Sequence, residues 1–228
     1  MKQFATIYQR AVRRKGGEQA LKKLIAVPIS SSTALAKLGG DRFLAEMTRS
    51  IFQAGFVWRV IENKWPEFEK AFWQFNIERC RMMSPDDEES LLKNAGIVRN
   101  LQKIRTVPQN AQMIHNAAEA HGSFARMVAN WPDSEFVELL FYLKKHGARL
   151  GGNSAQYFLR RLGKDGFVLS ADGIWALIDA GVIDRAPSSR TALLAVQQAF
   201  NEWSQQSGLG LAQISRVLAC SIDAPAAA

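Results

Sequence analysis

The sequence predicts an all-α protein, and three observations carry that prediction. Apolar residues recur at three- and four-residue steps, as in Phe43, Leu44, Met47, Ile51 and Ala54, which is the spacing of one buried helix face. No segment alternates apolar and polar residues long enough to make a convincing strand. The periodic stretches are also bounded by residues that start or stop helices, among them Gly16-Gly17, Ser84-Pro85, Gly147 and Pro187-Ser188-Ser189.

Taken in order, Phe4, Ile7, Tyr8 and Ala11 place a helix over 3–14, stopped by Gly16-Gly17. A short helix follows from Glu18 to Ala26, closed by Val27-Pro28, and Ser30 to Ser32 cap a third that ends at Gly39-Gly40. Asp41 caps a longer helix reaching Ala54, and Gly55 breaks it. Phe56, Val57 and Trp58 begin another, expected to end at Trp65-Pro66 because proline lacks the N–H of a helix interior. Glu67 to Phe75 is helical and aromatic, with Phe68 and Phe72 as core residues. Ser84-Pro85 followed by Asp86, Asp87, Glu88 and Glu89 is a strong start, with proline and acids in the first turn, and that helix stops at Gly96.

Arg99 to Ala120 reads as one long amphipathic helix, kinked or broken at Val107-Pro108. Trp131-Pro132-Asp133 opens a helix with Phe136, Leu139, Leu140 and Leu143 on one face, ending at Gly147. Gly173 to Ala180 is helical and stops at Gly181. Pro187-Ser188-Ser189 opens a helix through Phe200 and Trp203, and Gly208 to Gly210 precede a last one ending near Cys220. Ala224-Pro225-Ala226 reads as a disordered tail, so one domain over 1–223 is expected with a tail at 224–228. No fixed-period repeat is present.

The chain has 228 residues, 47% of them hydrophobic, enough for one large domain or two small lobes. No apolar run of about 18 residues exists, so no membrane span is indicated. The N-terminal stretch has neither the apolar centre nor the cleavage site of a signal peptide, and a cytoplasmic monomer is expected. Cys80 and Cys220 stand far apart without a local pair, which argues against a disulfide framework and a cysteine-rich metal site. His115, His121 and His146 have no ligand spacing and read as surface or helix-end residues. No metal and no cofactor is expected.

The net charge is +8 and the isoelectric point about 9.7. Such a balance favours polyanions such as nucleic acid, and solubility alone is the plainer explanation. The basic residues cluster at Arg10 to Lys23 and again at Lys144 to Lys164. The second cluster surrounds the stretch on which the chain is organised, 144–175. Gly151-Gly152 permits backbone shapes closed to other residues, Asn153 and Ser154 are good helix starters, and a helix N-terminus there offers N–H groups to a phosphate. Lys144, Lys145, Arg149, Arg160, Arg161 and Lys164 complete a phosphate clamp, with the carboxylate of Asp172 nearby.

Two blocks of this sequence resemble the helix-hairpin-helix DNA glycosylases, and most closely the 3-methyladenine DNA glycosylase I group. LGGNSAQYF is similar to the superfamily's hairpin, usually written LPGxGxxTA, and GKDGFVLSADG to the segment after it. RFLAEMTRSIFQAGFVWRVIENKWPEFEKAFWQF followed by LLKNAGIVRNLQKI makes the second block. The resemblance covers roughly 40–185. It implies two helical lobes with an active-site cleft between them, acting on double-stranded DNA with a damaged base.

The resemblance also assigns residues. Gly152 stands at the first functional hairpin glycine, while Gly151 replaces the usual proline and Ser154 the second glycine. The hairpin residues Arg149, Gly151, Gly152, Asn153, Ser154 and Gln156, with Lys145, are the implied DNA contacts. Gln156 stands where a lyase would carry its lysine, implying a monofunctional hydrolase. Asp172 matches the aspartate that in most of the superfamily helps to break the bond between base and sugar. A carboxylate there stabilises the electron-poor sugar or orients water, and the plainer role for Asp172 is a helix N-cap.

QAGFVW, Gln53 to Trp58, is similar to the group's QAGLSW motif, whose tryptophan lines the base pocket. Trp58 is therefore the candidate for stacking on a 3-alkylated adenine, a cation while in DNA, with Phe56 and Gln53 beside it. A core aromatic is the alternative for Trp58. Tyr8 is matched to a pocket tyrosine. The group's pocket glutamate is replaced by Ser50, and Glu46, one turn earlier, could face the same side. The group's zinc ligands are missing. A non-catalytic DNA-binding relative, favoured by Ser50, and a basic helical interaction protein stand as alternatives.

Overall fold

The computed structural model describes residues 1–222, so the expected tail lies outside them. Among the described residues the only regular elements are helices. In chain order the α-helices are α1 (Phe4–Arg14), α2 (Glu18–Ile25), α3 (Ser32–Ala36), α4 (Gly40–Gln53), α5 (Trp58–Ala71), α6 (Ile77–Arg81), α7 (Pro85–Lys93), α8 (Leu101–Ile104), α9 (Thr106–His121), α10 (Phe124–Asn130), α11 (Phe136–His146), α12 (Asn153–Arg161), α13 (Ala171–Asp179), α14 (Arg190–Ser207) and α15 (Leu211–Ser221). They divide into two compact units. One comprises Met1–Ile29, Pro132–Glu138 and the chain from Asp165. The other comprises Ser30–Trp131 and Leu139–Lys164.

In the first unit α15 is the central helix, packed by α1, α2, α13 and α14. Ile7, Ala11, Leu21, Leu177, Ile214 and Val217 are buried there. Phe136, Phe167, Phe200 and Trp203 form a chain of ring contacts, with centroids 5.1, 4.4 and 5.9 Å apart in sequence. Gly166 is required by that cluster, since a Cβ on it would stand 2.3 Å from the Phe136 ring. Asp165 caps α15, accepting from the N–H groups of Leu211 at 3.0 Å and Ala212 at 2.8 Å. Gly166 and Phe167 of the GKDGFVLSADG block therefore serve the core, and Asp165 a helix end.

In the second unit α4 is the central helix. Phe43, Leu44, Met47, Ile51 and Phe52 are fully buried, and α5, α9 and α12 pack on it. Trp65, Phe68, Phe72 and Phe75 lie nearly parallel at 5.4 to 6.1 Å, and Phe52 meets Phe68 edge-on at 4.8 Å. This is the core role expected for Phe68 and Phe72.

The elements depart from expectation in several places. Asp41 is not a cap: Gly39 is the N-cap of α4 and Asp41 lies in its first turn. The helix from Trp58 does not stop at Pro66 but continues to Ala71. Proline forfeits one backbone bond, while Ile61, Trp65 and Phe68, buried on both sides of it, hold one continuous axis. Trp73, Gln74 and Phe75 are not α-helical; all three take left-handed φ of 50° to 58°. Residues with side chains adopt that region at a cost, here opposed by burial of Phe75 and by the Arg79 guanidinium 3.7 Å over the Trp73 ring. The long helix expected at 99–120 is two, α8 and α9, parted at Arg105, so Pro108 falls in a first turn where its missing N–H costs little. The short helices α6 and α10 were not foreseen.

Candidate active site

The last turn of α4 places Ser50 and Gln53 on one side of the helix. The chain then turns at Gly55, with φ 75°, and α5 starts at Trp58. Phe56, Val57 and Trp58 are exposed, Trp58 by 46%, so Trp58 is not a core residue. On α12, Asn153, Ser154 and Tyr157 fall on one face at helical spacing. These two groups line a cavity of about 230 Å³. Its walls are Ser50, Gln53, Ala54, Gly55, Phe56, Trp58, Asn153, Ser154 and Tyr157. The Trp58 and Tyr157 rings meet edge to face, 4.9 Å between centroids at 90°.

The polar wall is held by Arg161. Its Nε donates to Glu46 Oε2 at 2.6 Å and its Nη1 to Gln53 Oε1 at 3.2 Å, and its Nη2 donates to Ser50 Oγ. Gln53 Nε2 in turn donates to Glu62 Oε1 at 2.7 Å. Arg49 adds a second cation on Glu46, 3.1 Å away. Glu46 is thus on the expected side of α4, but its carboxylate is engaged by two arginines and does not line the cavity.

The aromatic wall is held by Lys103. Its Nζ donates to the carbonyls of Phe52 at 3.1 Å and Ala54 at 2.6 Å, which ends α4, and stands 4.5 Å from the Phe56 ring centroid. Burial lowers the Lys103 pKa from its ordinary value, with the nearby charge of Arg149 acting in the same direction.

The hairpin is braced from behind by Asn110. This fully buried side chain accepts from the N–H of Ala148 at 2.7 Å and donates to its carbonyl at 3.2 Å. Gly152 is the N-cap of α12 at φ 56° and ψ −138°, a conformation open essentially to glycine alone. Gly152, Asn153, Lys144, Lys145 and Arg149 are exposed. Arg149 takes φ 55° and donates to Gln102 Oε1 at 2.5 Å. Two of the cations assigned to the phosphate clamp turn inward instead: Arg161 to the α4 wall, and Lys164, buried, to the carbonyl of Trp131 at 2.5 Å. Gln156 is 4% exposed, so its side chain belongs to the packing beneath the hairpin.

Asp172 is not a helix N-cap. Ser170 caps α13, accepting from the N–H of Gly173 at 3.2 Å, and Asp172 is the second residue of the helix. A carboxylate in a first turn faces the positive end of the helix dipole. Tyr8 belongs to the first unit, where its ring contacts Phe4 at 6.2 Å and lines a depression with Gln9, Glu18 and Gln206. The lining of the Trp58 cavity does not include it. His115 stands between Glu78 and Glu119, and among the described residues no group of His, Cys, Asp and Glu could hold a metal ion.

Sequence reasoning passed over Tyr157, Lys103 and Asn110 and read Arg161 as a surface cation. Tyr157 and Arg161 could have been found as the one-turn steps after Asn153 on an amphipathic helix. Nothing local marks Lys103 or Asn110, whose partners are 38 or more residues away.

The family model for methyladenine glycosylase matches residues 39–180, a span holding the cavity, the hairpin and Asp172. The chain is similar to 3-methyladenine DNA glycosylase I of Staphylococcus aureus, at 20% identity over 68% of this chain and 92% of that one, with a TM-score of 0.52. It is also similar to the 8-oxoguanine glycosylase/lyase of Methanocaldococcus jannaschii, solved with a 15mer DNA containing 8-oxoguanine, at 15% identity over 93% and 95% of the two chains, with a TM-score of 0.53. At these identities the likeness is one of fold. A further 3-methyladenine DNA glycosylase I structure shares 27% identity over 60% of this chain and 82% of that one, with a TM-score of 0.47. No curated protein matches.

Proposed function

The chain belongs to the methyladenine glycosylase family, and from that membership and the cavity at Trp58 we propose that it hydrolyses the N-glycosidic bond of an alkylated base in double-stranded DNA, 3-methyladenine first among them. One observation carries the reading: an aromatic cavity with a polar wall opens beside the first turn of α12, the helix that the hairpin presents. A base cannot reach such a cavity from within a duplex, so it must be flipped out, at a cost of a few kcal/mol that is smaller for a damaged pair. Trp58, with Phe56 and Tyr157, holds the flipped ring. The backbone from Gly151 to Ser154, exposed at Gly152 and Asn153, takes the phosphate, aided by Lys145 and Arg149.

Asp172 is the carboxylate we assign to the sugar as the bond breaks, stabilising its positive charge or orienting water. Gln156 cannot form a Schiff base, which makes the enzyme monofunctional. A non-catalytic DNA-binding relative is the second reading, supported by the cavity lining, in which no described residue is acidic.

The test is release of free base from DNA carrying 3-methyladenine, by the purified protein and its Trp58→Ala and Asp172→Asn variants. Release that falls by about five- to a hundredfold in Trp58→Ala supports the reading, since base stacking contributes roughly 1–3 kcal/mol per base. Salt-sensitive DNA binding without release of any base supports the non-catalytic relative. Nicking of an abasic strand through a borohydride-trapped intermediate would show a lyase.

A further inference from the structure

We propose a further activity at this site: the cavity also takes a neutral 6-oxopurine, hypoxanthine being the simplest, and the protein removes it from DNA. The inference rests on the glycosylase reading and extends its substrates.

The argument is one of donors and acceptors. Arginine has only donors to offer. Ser50 Oγ accepts from Arg161, so the serine's own proton remains to be donated, and among the described residues no other partner of that hydroxyl is found. Gln53 is oriented the same way: its oxygen must face Arg161 and its nitrogen Glu62, which leaves its second N–H. Ser50 and Gln53 are each only 4% exposed, and both line the cavity. The polar edge shown to a base therefore carries two donors, backed by a guanidinium.

A 6-oxopurine presents two neighbouring acceptors, O6 and N7, to such an edge. Adenine presents one acceptor, N7, beside an amino donor. The amino base, 3-methyladenine included, leaves one buried donor facing another, which is costly, so its release draws on stacking of its charged ring rather than on this edge. The stacking rings of Phe56, Trp58 and Tyr157 do not distinguish the two, because every base has a π-face. Ordinary guanine shares the acceptors but is held by a strong pair, whereas a deaminated adenine pairs weakly and flips cheaply. In the reaction the C1′–N9 bond breaks, the water oxygen bonds to C1′, and one water proton leaves with the purine.

The experiment measures single-turnover base release by the full chain from a duplex with one deoxyinosine and, in parallel, from DNA carrying 3-methyladenine. The wild type is expected to release hypoxanthine. Ser50→Ala, which deletes one donor while keeping a good helix residue, is expected to lower the ratio of hypoxanthine to 3-methyladenine release about tenfold. Release of 3-methyladenine without hypoxanthine overturns the proposal and leaves the glycosylase reading standing. An unchanged ratio in Ser50→Ala, with both bases released, overturns the donor edge as its basis. Release of neither base overturns the glycosylase reading and this activity together.

Discussion

The edge of one ring of the Trp58–Tyr157 pair meets the face of the other, 4.9 Å apart and perpendicular, so a side chain at the start of α5 is set by one in the first turns of α12. Trp58 is half exposed and has no core around it to fix its rotamer. Aromatic pairs of this geometry contribute roughly 0.5–1.5 kcal/mol beyond their burial. Tyr157→Ala should therefore lower kcat/KM for base release by about three- to tenfold, while Tyr157→Phe, which keeps the ring, stays within about twofold. Steady-state release assays with the two variants decide this, and equal losses in both would assign the effect to the hydroxyl instead.

Arg161 is the partner on which the α4 wall depends. Removing it strands Glu46 beside a single remaining arginine and deprives Ser50 Oγ and Gln53 Oε1 of their donor, Gln53 keeping its bond to Glu62. Hydrogen bonds to charged groups contribute about 1.5–3 kcal/mol, so Arg161→Met should lower stability by about 2 kcal/mol, or roughly 4–8 °C in Tm for a chain of this size. Glu46→Gln, which keeps an acceptor, should cost less than half of that. Thermal unfolding of both variants is the check, and a larger loss in Glu46→Gln would place the anchor elsewhere.

Much of the fold was legible because its signals are local. Gly16-Gly17, the Ser84-Pro85 start, Ser189 and Gly208 to Gly210 fix helix ends through backbone chemistry that the sequence carries openly. Pro66 misled because its effect is also local, while the burial of Trp65 and Phe68 that overrides it is tertiary. The site divides the same way. Gln53, Phe56 and Trp58 came from one motif and Ser50 from its place eight residues before the tryptophan, and all four line one cavity. The direction in which Arg161 and Lys164 point was not, because a basic residue on or just past an amphipathic helix has the same spacing whether it faces phosphate or the neighbouring chain.

Lys103 joins the end of α4 to the loop carrying Phe56. It occupies carbonyls that the helix end leaves unpaired, and its burial penalises the charge it brings. The two effects oppose each other, so Lys103→Met should change global stability by less than about 1 kcal/mol. The loss should be local. Amide hydrogen exchange at 54–60 is expected to speed up at least about tenfold, with base release falling in step. Unchanged exchange there, with activity lost, would assign Lys103 a direct part in binding.

Acid should reveal a second electrostatic device, in the second unit. Asp87 accepts from both Arg79 terminal nitrogens, at 2.9 and 2.5 Å, and from the N–H of Ser84 at 2.8 Å, closing the capping box of α7. Arg79, and after it Ser84, hold the Asp87 carboxyl down at about 2, against an ordinary 3.8. Because the folded pKa lies below the unfolded one, the contribution is fully present above about pH 5 and is lost as the pH falls through the interval from about 4 to about 2. Asp87→Asn should therefore melt about 2–4 °C below the wild type at pH 6, a loss of cap size of about 1 kcal/mol. The two melting curves should converge as the pH approaches 2. A gap that stays constant from pH 6 to pH 2 would mean that the carboxylate's charge contributes nothing and that only the geometry of the cap matters.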